Sequence, residues 1–302
     1  MNRFEFSDDN KRYHTYNYYL KHRFGQKVFK VPLNVDLGCP NRDGTKGVGG
    51  CIFCSAKMSG DFAGNPWDDI ETQFNQIRAK MHNKWQEGLY IPYFQAGSNT
   101  YSDVETLKRM YETALSFENV VGLSIATRAD CLPPDVVAYL AELSTRTVLT
   151  VELGLQTIHE ETARYIRRGY ESAVYFDAVK RLKAAGIEVV THIILGLPGE
   201  TPEMMVQTTK AAVRAGTDGV KFHLLHVLKN TDLAKDYEAG KFDCLSLEAY
   251  GEILKACIRC LPETVIVHRI TGDGAKKDLI APLWSGDKKQ VLNYLQKLLN
   301  AE

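Results

Sequence analysis

Short apolar runs rich in β-branched residues alternate with segments of helical periodicity along most of the chain. Turn residues bound each apolar run, which is typical of buried strands. The predicted strands span residues 28–37, 89–95, 120–126, 147–153, 187–195, 219–227 and, on the weakest pattern, 265–270. The predicted helices span residues 10–24, 68–86, 104–117, 135–143, 172–185, 202–215, 247–261 and 287–300.

This alternation predicts parallel strands joined by right-handed helical crossovers. We therefore expect an α/β fold, a parallel-stranded partial (β/α)6 TIM-type barrel with flanking N- and C-terminal helices. No repeat, low-complexity segment or linker divides the chain, so residues 1–302 are expected to form one domain. Within it, residues 1–27 form an N-terminal extension, 28–245 the barrel core and 246–302 a C-terminal extension. In such a barrel the chemistry lies at the C-terminal ends of the strands.

Composition supports a single large core and argues against some partners. The chain has 302 residues, 44% of them hydrophobic, with 37 basic and 37 acidic residues and a formal net charge of zero. Balanced charge disfavours a broad membrane or DNA-binding face. The polar N-terminus and the lack of a long apolar run predict a cytoplasmic protein. Seven cysteines, an odd number, suit a reducing compartment and metal binding better than disulfides.

Three of the cysteines stand close together just after the first predicted strand. Cys39, Cys51 and Cys54 follow the pattern C-x11-C-x2-C. The intervening turn-rich stretch has four glycines, so its backbone can fold back and bring Cys39 beside the other two. We call these three residues the cluster cysteines, because their spacing predicts three thiolates at one metal centre.

The number of ligands distinguishes between metals. A structural zinc site has four protein ligands, but the next cysteine is Cys131 and the nearest histidines are His22 and His82. A 4Fe-4S cluster held by three cysteines leaves one iron open to a small molecule. That arrangement is typical of catalysis and not of electron carriage.

The cysteine pattern resembles that of the radical SAM enzymes, in which S-adenosylmethionine (SAM) binds the fourth iron of a 4Fe-4S cluster. The usual first spacing there is three residues, and this chain has eleven. CPNRDG followed by GGCIFC resembles the YtqA/YhcC-type subgroup, which has the long loop. The resemblance implies a 4Fe-4S cluster and SAM as cofactors, Cys39, Cys51 and Cys54 as cluster ligands, and Phe53 packing by the adenine.

The resemblance also implies SAM contacts after the second and third strands. Ala96, Gly97 and Ser98 stand where the family has a glycine-rich motif for the amino group of SAM, and a plain turn is the alternative. Thr127 and Arg128 belong to a string similar to the TRPD of Elongator-type domains. A surface pair between the arginine and the aspartate two residues later is the other interpretation.

The fourth strand ends in a string similar to the E-x-G-x-Q-S of the Elongator and coproporphyrinogen-oxidase-like branch, which implies SAM-site roles for Glu152 and Gln156. A charge such as Glu152 inside an apolar run needs a partner. Further on, Arg164, Arg167 and Arg168 are similar to that branch's R-R-G-H string. A solvated basic helix end is at least as good an interpretation of these arginines.

The fifth and sixth strands complete the implied cofactor site. Ile194 and Gly196 lie in a segment similar to the family's G-x-I-x-G-x-x-G adenine element, with His192 in place of the first glycine. His192 is equally well interpreted as a packed core histidine. His226 and Val227 belong to a segment similar to H-x-L-x-V-x-K-G-T.

Three further features have less specific patterns. Cys257 and Cys260, one helical turn apart, are better interpreted as a buried thiol pair than as a second metal site. Cys131 follows the third strand, and packing is favoured over contact with substrate. Residues 272–277 are glycine-rich and basic but lack the Walker spacing, so they form no P-loop.

The expected function is that of a radical SAM enzyme acting on an unknown substrate. A non-catalytic zinc or iron-sulfur module is the alternative. The resemblance implies a flavodoxin- or ferredoxin-type electron donor, and a small molecule, a peptide or RNA remains open as substrate. Residues 11–30 carry six basic and six aromatic side chains without an acidic one, a composition that suits RNA. Packing of the aromatic residues on the barrel is the favoured interpretation.

Overall fold

The computed structural model describes residues 4–82 and 87–301. Its main sheet has seven parallel strands in the order β1-β2-β3-β4-β5-β6-β8, curled into a half-barrel. A small antiparallel pair, β7 and β9, lies apart from it. The strands are β1 (Val28–Leu33), β2 (Leu89–Phe94), β3 (Gly122–Thr127), β4 (Val148–Gln156), β5 (Glu188–Leu195), β6 (Gly219–Leu224), β7 (Val227–Leu228), β8 (Ile266–Arg269) and β9 (Leu279–Ala281).

The predicted partial barrel with flanking helices is confirmed, and the strand predicted on the weakest pattern, 265–270, forms its seventh strand. That strand, β8, comes from the C-terminal part of the chain and pairs with β6. The helices are α1 (Tyr16–Phe24), α2 (Ile70–His82), α3 (Val104–Leu115), α4 (Pro134–Ser144), α5 (Glu160–Tyr165), α6 (Ser172–Ala184), α7 (Pro202–Ala215), α8 (Asp232–Glu238), α9 (Leu247–Arg259) and α10 (Lys288–Asn300).

Helix starts follow local capping chemistry. The predicted first helix, 10–24, begins only at Tyr16, because the Thr15 side chain accepts a hydrogen bond from the Tyr18 N–H and so caps the helix there. Asp103, Thr201 and Ser246 cap α3, α7 and α9 in the same way. Residues 83–86 of the predicted helix 68–86 lie outside the described residues. The sequence did not predict the short helices α5 and α8.

Side chains on each strand alternate between two faces of the sheet. One set, which includes Val151 and Leu153 of β4 and Ile193 of β5, packs against the surrounding helices in the main hydrophobic core. The other set faces the interior of the half-barrel, which we call the lumen. Many lumen residues are polar, which separates this half-barrel from an ordinary apolar barrel core.

The N-terminal segment covers the gap between the two edge strands, β8 and β1. The Val267 N–H of β8 donates to the carbonyl oxygen of His14 over 2.7 Å. On α1, the Tyr19 hydroxyl donates to the Glu188 carboxylate over 2.7 Å, and Arg23 forms an ion pair with the same carboxylate. The segment is thus tied to both β8 and β5. No helix in the described part of the chain is long and apolar enough to cross a membrane.

Candidate active site

A cavity of about 290 Å³ opens among the C-terminal ends of the strands. All three cluster cysteines line it, together with side chains that project from the ends of β2, β3, β4, β5 and β6. The thiols are all free and half-buried. Parallel strands present their C-terminal ends at one edge, and the loop after β1 carries the cysteines across that edge.

The loop between Cys39 and Cys51 is a compact hairpin. The Arg42 N–H donates to the Cys39 carbonyl over 2.8 Å, and the Gly50 N–H donates to the Asn41 carbonyl over 2.8 Å. The Asn41 amide lies inside the hairpin and donates to the Arg167 carbonyl over 2.6 Å and to the Cys51 sulfur over 3.5 Å. The eleven-residue spacing therefore brings Cys39 back towards Cys51, as the glycine content predicted.

Two arginines act on the thiols. The pKa of Cys51 is lowered to about 7, first by its hydrogen bond with Cys54 and further by Arg128 and Arg42, against the effect of burial. The same hydrogen bond, together with burial, raises the pKa of Cys54. The Arg42 guanidinium also donates to the carbonyl oxygens of Cys54 and Ser55, over 3.3 and 2.6 Å. Cationic side chains beside thiols favour the thiolate, which is the form that binds metal.

The three thiols suit an iron-sulfur cluster better than a single metal ion. Among the described residues, no group of three or more His, Cys, Asp or Glu side chains has the geometry to hold a single metal ion. The cysteines of a 4Fe-4S cluster bind different irons, so their sulfurs do not converge on one point. Three thiols at one cavity, beside cationic arginines, fit such a cluster with one iron left open.

Most of the predicted SAM contacts line this cavity, but three do not. Ala96 is buried, and its side chain lies beneath Gly60. Gly196 has φ +92°, and a Cβ there would lie 3.0 Å from Leu245 Cδ1. Val227 is fully buried in β7. The residues that do line the cavity are Phe53, Gly97, Ser98, Thr127, Arg128, Glu152, Gln156, Ile194 and His226.

Gly97 is placed by a close approach between two loops. Its φ of +74° favours glycine, and its N–H donates to the Met58 carbonyl over 3.0 Å. A Cβ at this position would lie 2.7 Å from the carbonyl oxygen of Gly38, directly before the first cluster cysteine. The end of β2 and the cysteine loop are therefore packed backbone to backbone, which requires glycine.

Arg128 and Arg168 are mostly buried, although the sequence also allowed a surface ion pair for Arg128 and a solvated helix end for Arg168. Arg128 pairs with Asp130 over 2.9 Å, but the two side chains are only 11% and 8% exposed, so the pair is not on the surface. Arg168 is fully buried and donates to the carbonyl oxygens of Leu155 and Thr157, over 2.9 and 2.6 Å. The interpretation of Arg168 as part of a solvated basic helix end is therefore wrong.

Glu152 lies deep in the lumen with four partners. The Ser124 hydroxyl donates to its carboxylate over 2.9 Å, and His192 Nε2 is 2.8 Å from it. Lys30 of β1 and Lys221 of β6 form ion pairs with the same carboxylate. Burial by itself raises the pKa of Glu152, but the two lysines lower it well below its usual range. The predicted need for a partner is met several times over.

Burial in the lumen lowers the pKa of both lysines. Burial lowers the pKa of Lys221 to about 7, with further lowering from Lys30 and Arg269 and opposition from Glu152. Burial also lowers the pKa of Lys30. Lys221 lies 3.2 Å from the Tyr93 hydroxyl. Lys30, which the sequence placed in a basic N-terminal stretch, is therefore a lumen residue.

Several lumen residues were not singled out from the sequence. Tyr93, Lys221 and Arg269 line the cavity, and Ser124 contacts Glu152. The alternation of side chains along a strand could have indicated them. Lys221 stands in an apolar strand two residues before His223, so the two side chains lie on the same face of the sheet. A polar residue an even number of positions before a lumen residue on the same strand also points into the lumen, and this rule identifies Lys221.

The remaining cysteines lie away from a metal site. Cys257 is buried in the main core, and the sulfur of the half-exposed Cys260 lies 3.0 Å from the Cys257 carbonyl oxygen. Cys131 is buried, and burial raises its pKa to about 12. These positions agree with packing roles, except that Cys260 is not fully buried.

The comparisons with known proteins identify the class. Residues 37–212 match the Radical SAM superfamily and residues 217–301 match the Radical_SAM C-terminal domain. The chain belongs to the radical SAM superfamily, whose members use a 4Fe-4S cluster and SAM.

Particular relatives agree with this placement. The chain is 52% identical to YtqA of Bacillus subtilis (strain 168) over 298 residues, 99% of this chain and 92% of YtqA. It is 38% identical to YhcC of Escherichia coli (strain K12) over 282 residues, 93% of this chain and 90% of YhcC. The structure of Methanocaldococcus infernus Elp3 with an N-terminal deletion has a TM-score of 0.65 at 19% identity, covering 89% of this chain and 63% of that one. The resemblance to the YtqA/YhcC type is confirmed, and the Elp3 match shows a shared fold.

Proposed function

We propose that this protein is a radical SAM enzyme that holds a 4Fe-4S cluster on Cys39, Cys51 and Cys54 and binds SAM in the adjoining cavity. When bound, the cluster supplies the electron that cleaves SAM into methionine and a 5′-deoxyadenosyl radical, which abstracts hydrogen from the substrate. One observation carries the proposal: the cluster cysteines and the residues at the ends of five strands line the same cavity.

The chain's own side chains have distinct roles in this proposal. Phe53 and Ile194 give the cavity apolar walls suited to adenine. Gly97 lets the backbone approach a ligand closely. Met58 and Phe62, from the segment after the cluster cysteines, line the cavity and reduce the access of water to the reacting groups.

A reductant has to reach the cluster from outside. We propose a flavodoxin- or ferredoxin-type donor and a cytoplasmic location, where thiols stay reduced. The cysteine hairpin supports such an encounter because it lies at the surface, with Val48 80% exposed. A short distance from the surface to the cluster favours electron transfer between two proteins.

The choice among a small molecule, a peptide and RNA depends on the N-terminal stretch. Four of its six cations have acidic partners outside the stretch: Lys11 pairs with Asp9, Lys21 with Asp8, Arg23 with Glu188, and Lys30 with the lumen carboxylate. Paired cations neutralise fewer phosphates. This favours packing of the stretch on the barrel over RNA binding, so a small molecule or a peptide is the leading proposal for the substrate.

The test is anaerobic reconstitution with iron and sulfide, followed by SAM and dithionite, with 5′-deoxyadenosine measured by mass spectrometry. We expect about four irons per chain and formation of 5′-deoxyadenosine. Cys51→Ala should lose both, and Cys257→Ala is the matched control that should keep both. Iron binding without SAM cleavage would favour an electron carrier, and tight zinc binding without a cluster would favour a structural module.

A further inference from the structure

Arg269 places a guanidinium in the wall of the cavity. It is the last residue of β8, is exposed, and lines the cavity. Within the ranges that the structure describes, it forms no hydrogen bond and no ion pair. Other arginines that line the cavity have partners within the protein: Arg128 pairs with Asp130, and Arg168 donates to backbone carbonyls. A free guanidinium in a cavity has five donors available to a ligand.

The neighbours of Arg269 add positive charge. In the sheet it is the register partner of Lys221 on β6. Lys30 and Lys221 share one lumen carboxylate, that of Glu152, and Arg269 adds a third positive charge that acts on both lysines. Asp273 also lines the cavity, but Lys288 pairs with it over 2.7 Å. This end of the cavity therefore has an excess of cations.

Two histidines at the same end have unused ring atoms. The Nε2 atoms of His223 and His226 are buried and have no hydrogen-bond partner in the described part of the chain. Both rings lie against Gly272, at 3.6 and 3.4 Å from where a Cβ would stand, and all three residues line the cavity. Buried polar atoms normally have a partner, supplied by protein, water or ligand.

We propose that Arg269, with Lys221 and His223, binds an oxyanion of the substrate, either a carboxylate or a phosphate. The proposal rests on the proposed function and adds a chemical requirement for the substrate, which is that it carries at least one anionic group. A planar guanidinium binds carboxylate or phosphate through two parallel hydrogen bonds. An anion placed there balances the excess positive charge at this end of the cavity.

SAM has a carboxylate of its own, but other cations stand beside the cluster cysteines, where Arg42 donates to the Cys54 carbonyl oxygen over 3.3 Å. Arg128 and Arg42 are the arginines that act on the Cys51 thiol, beside which SAM meets the cluster. Arg269 acts instead on Lys30, Lys221 and the lumen side of the cavity. The two groups of cations therefore serve two anions, and the one at Arg269 belongs to the substrate.

The test measures anion binding directly, with inorganic phosphate and acetate as probes. Reconstituted protein saturated with SAM, without reductant, is titrated by calorimetry in a chloride buffer. Arg269→Gln should weaken binding of the preferred anion about ten-fold, and Arg269→Lys should give an intermediate loss. Arg214→Gln, on the exposed face of α7, is the matched control and should bind as the wild type does. The preferred probe identifies the source as carboxylate or phosphate.

Arg269 has no hydrogen-bond or ion-pair partner among residues 4–82 and 87–301, so its replacement should leave the melting temperature and the affinity for SAM unchanged. Anion binding that is equal in wild type and Arg269→Gln would overturn the proposal. A parallel loss of SAM affinity would also overturn it, by assigning Arg269 to the SAM carboxylate. Formation of 5′-deoxyadenosine is scored separately, so a failed anion site and a failed radical SAM assignment give different results.

Discussion

Glu152→Gln is the most informative single change in the lumen. It replaces the buried carboxylate that lies between Lys30 and Lys221 with an amide of nearly the same shape. The amide can still accept the hydrogen bond from Ser124, so the variant removes charge and little else. The two lysines, 17% and 9% exposed, then lack their counter-charge.

The expected loss follows from burial. Removing one partner of a buried ion pair costs about 3–5 kcal/mol of unfolding free energy, because the remaining charge is left without compensation. Unfolding entropy is about 2.1 cal/mol/K per residue, and the chain has 302 residues. The melting temperature should therefore fall by about 5–8 °C. Removing Lys221 as well should restore part of the loss, with a coupling energy of about 1–3 kcal/mol.

The assay is anaerobic urea unfolding of the cluster-loaded protein, followed by circular dichroism, at about pH 6, where Lys221, with its pKa of about 7, is cationic and Glu152 is ionised. Glu112→Gln is the control, since its exposed pair with Arg146 should contribute less than about 1 kcal/mol. A Glu152→Gln protein within about 1 kcal/mol of wild type would refute the reasoning, because it would mean that the lysines do not depend on this carboxylate. The affinity of the same variant for SAM tests whether Glu152 also contacts the cofactor, as the strand-end pattern predicts.

Three further changes test the rest of the site. Alanine at any of the cluster cysteines should abolish the iron-sulfur absorbance and SAM cleavage, and Cys257→Ala should keep both; about four irons in a cluster-cysteine variant would contradict the ligand assignment. Gly97→Ala, whose Cβ would lie 2.7 Å from a backbone oxygen, should cost about 1–3 kcal/mol and lower cluster occupancy. Gly216→Ala, at φ +93° but in open space, should cost about 1–2 kcal/mol and keep the cluster. Equal occupancy in both variants would exclude a role for the loop contact. Glutamine at Lys21 and Arg23 should leave filter binding of transfer RNA unchanged at low and high salt, because both cations are already paired; a submicromolar complex that these changes abolish would instead favour an RNA substrate.

The sequence by itself determined the fold class and the cofactor chemistry. Both depend on local patterns: strand and helix periodicity alternate along the chain, and the cluster cysteines stand within sixteen residues. The glycines between them make the hairpin possible, and the backbone hydrogen bonds follow their positions. Local spacing is enough here because each element forms from neighbours in sequence, and parallel strands bring their C-terminal ends to one edge of the sheet.

Only the tertiary structure decided what the lumen contains. Lys30, Glu152 and Lys221 come from β1, β4 and β6, and Arg269 comes from a strand beyond the predicted barrel core. Taken one at a time, these residues look like a surface lysine, a cofactor ligand and two unremarkable strand positions. Curling of the sheet brings them together, and the cost of burying charge without a partner ties each of the ion-paired residues to the others. That coupling acts through space between strands far apart in sequence, so no local pattern encodes it.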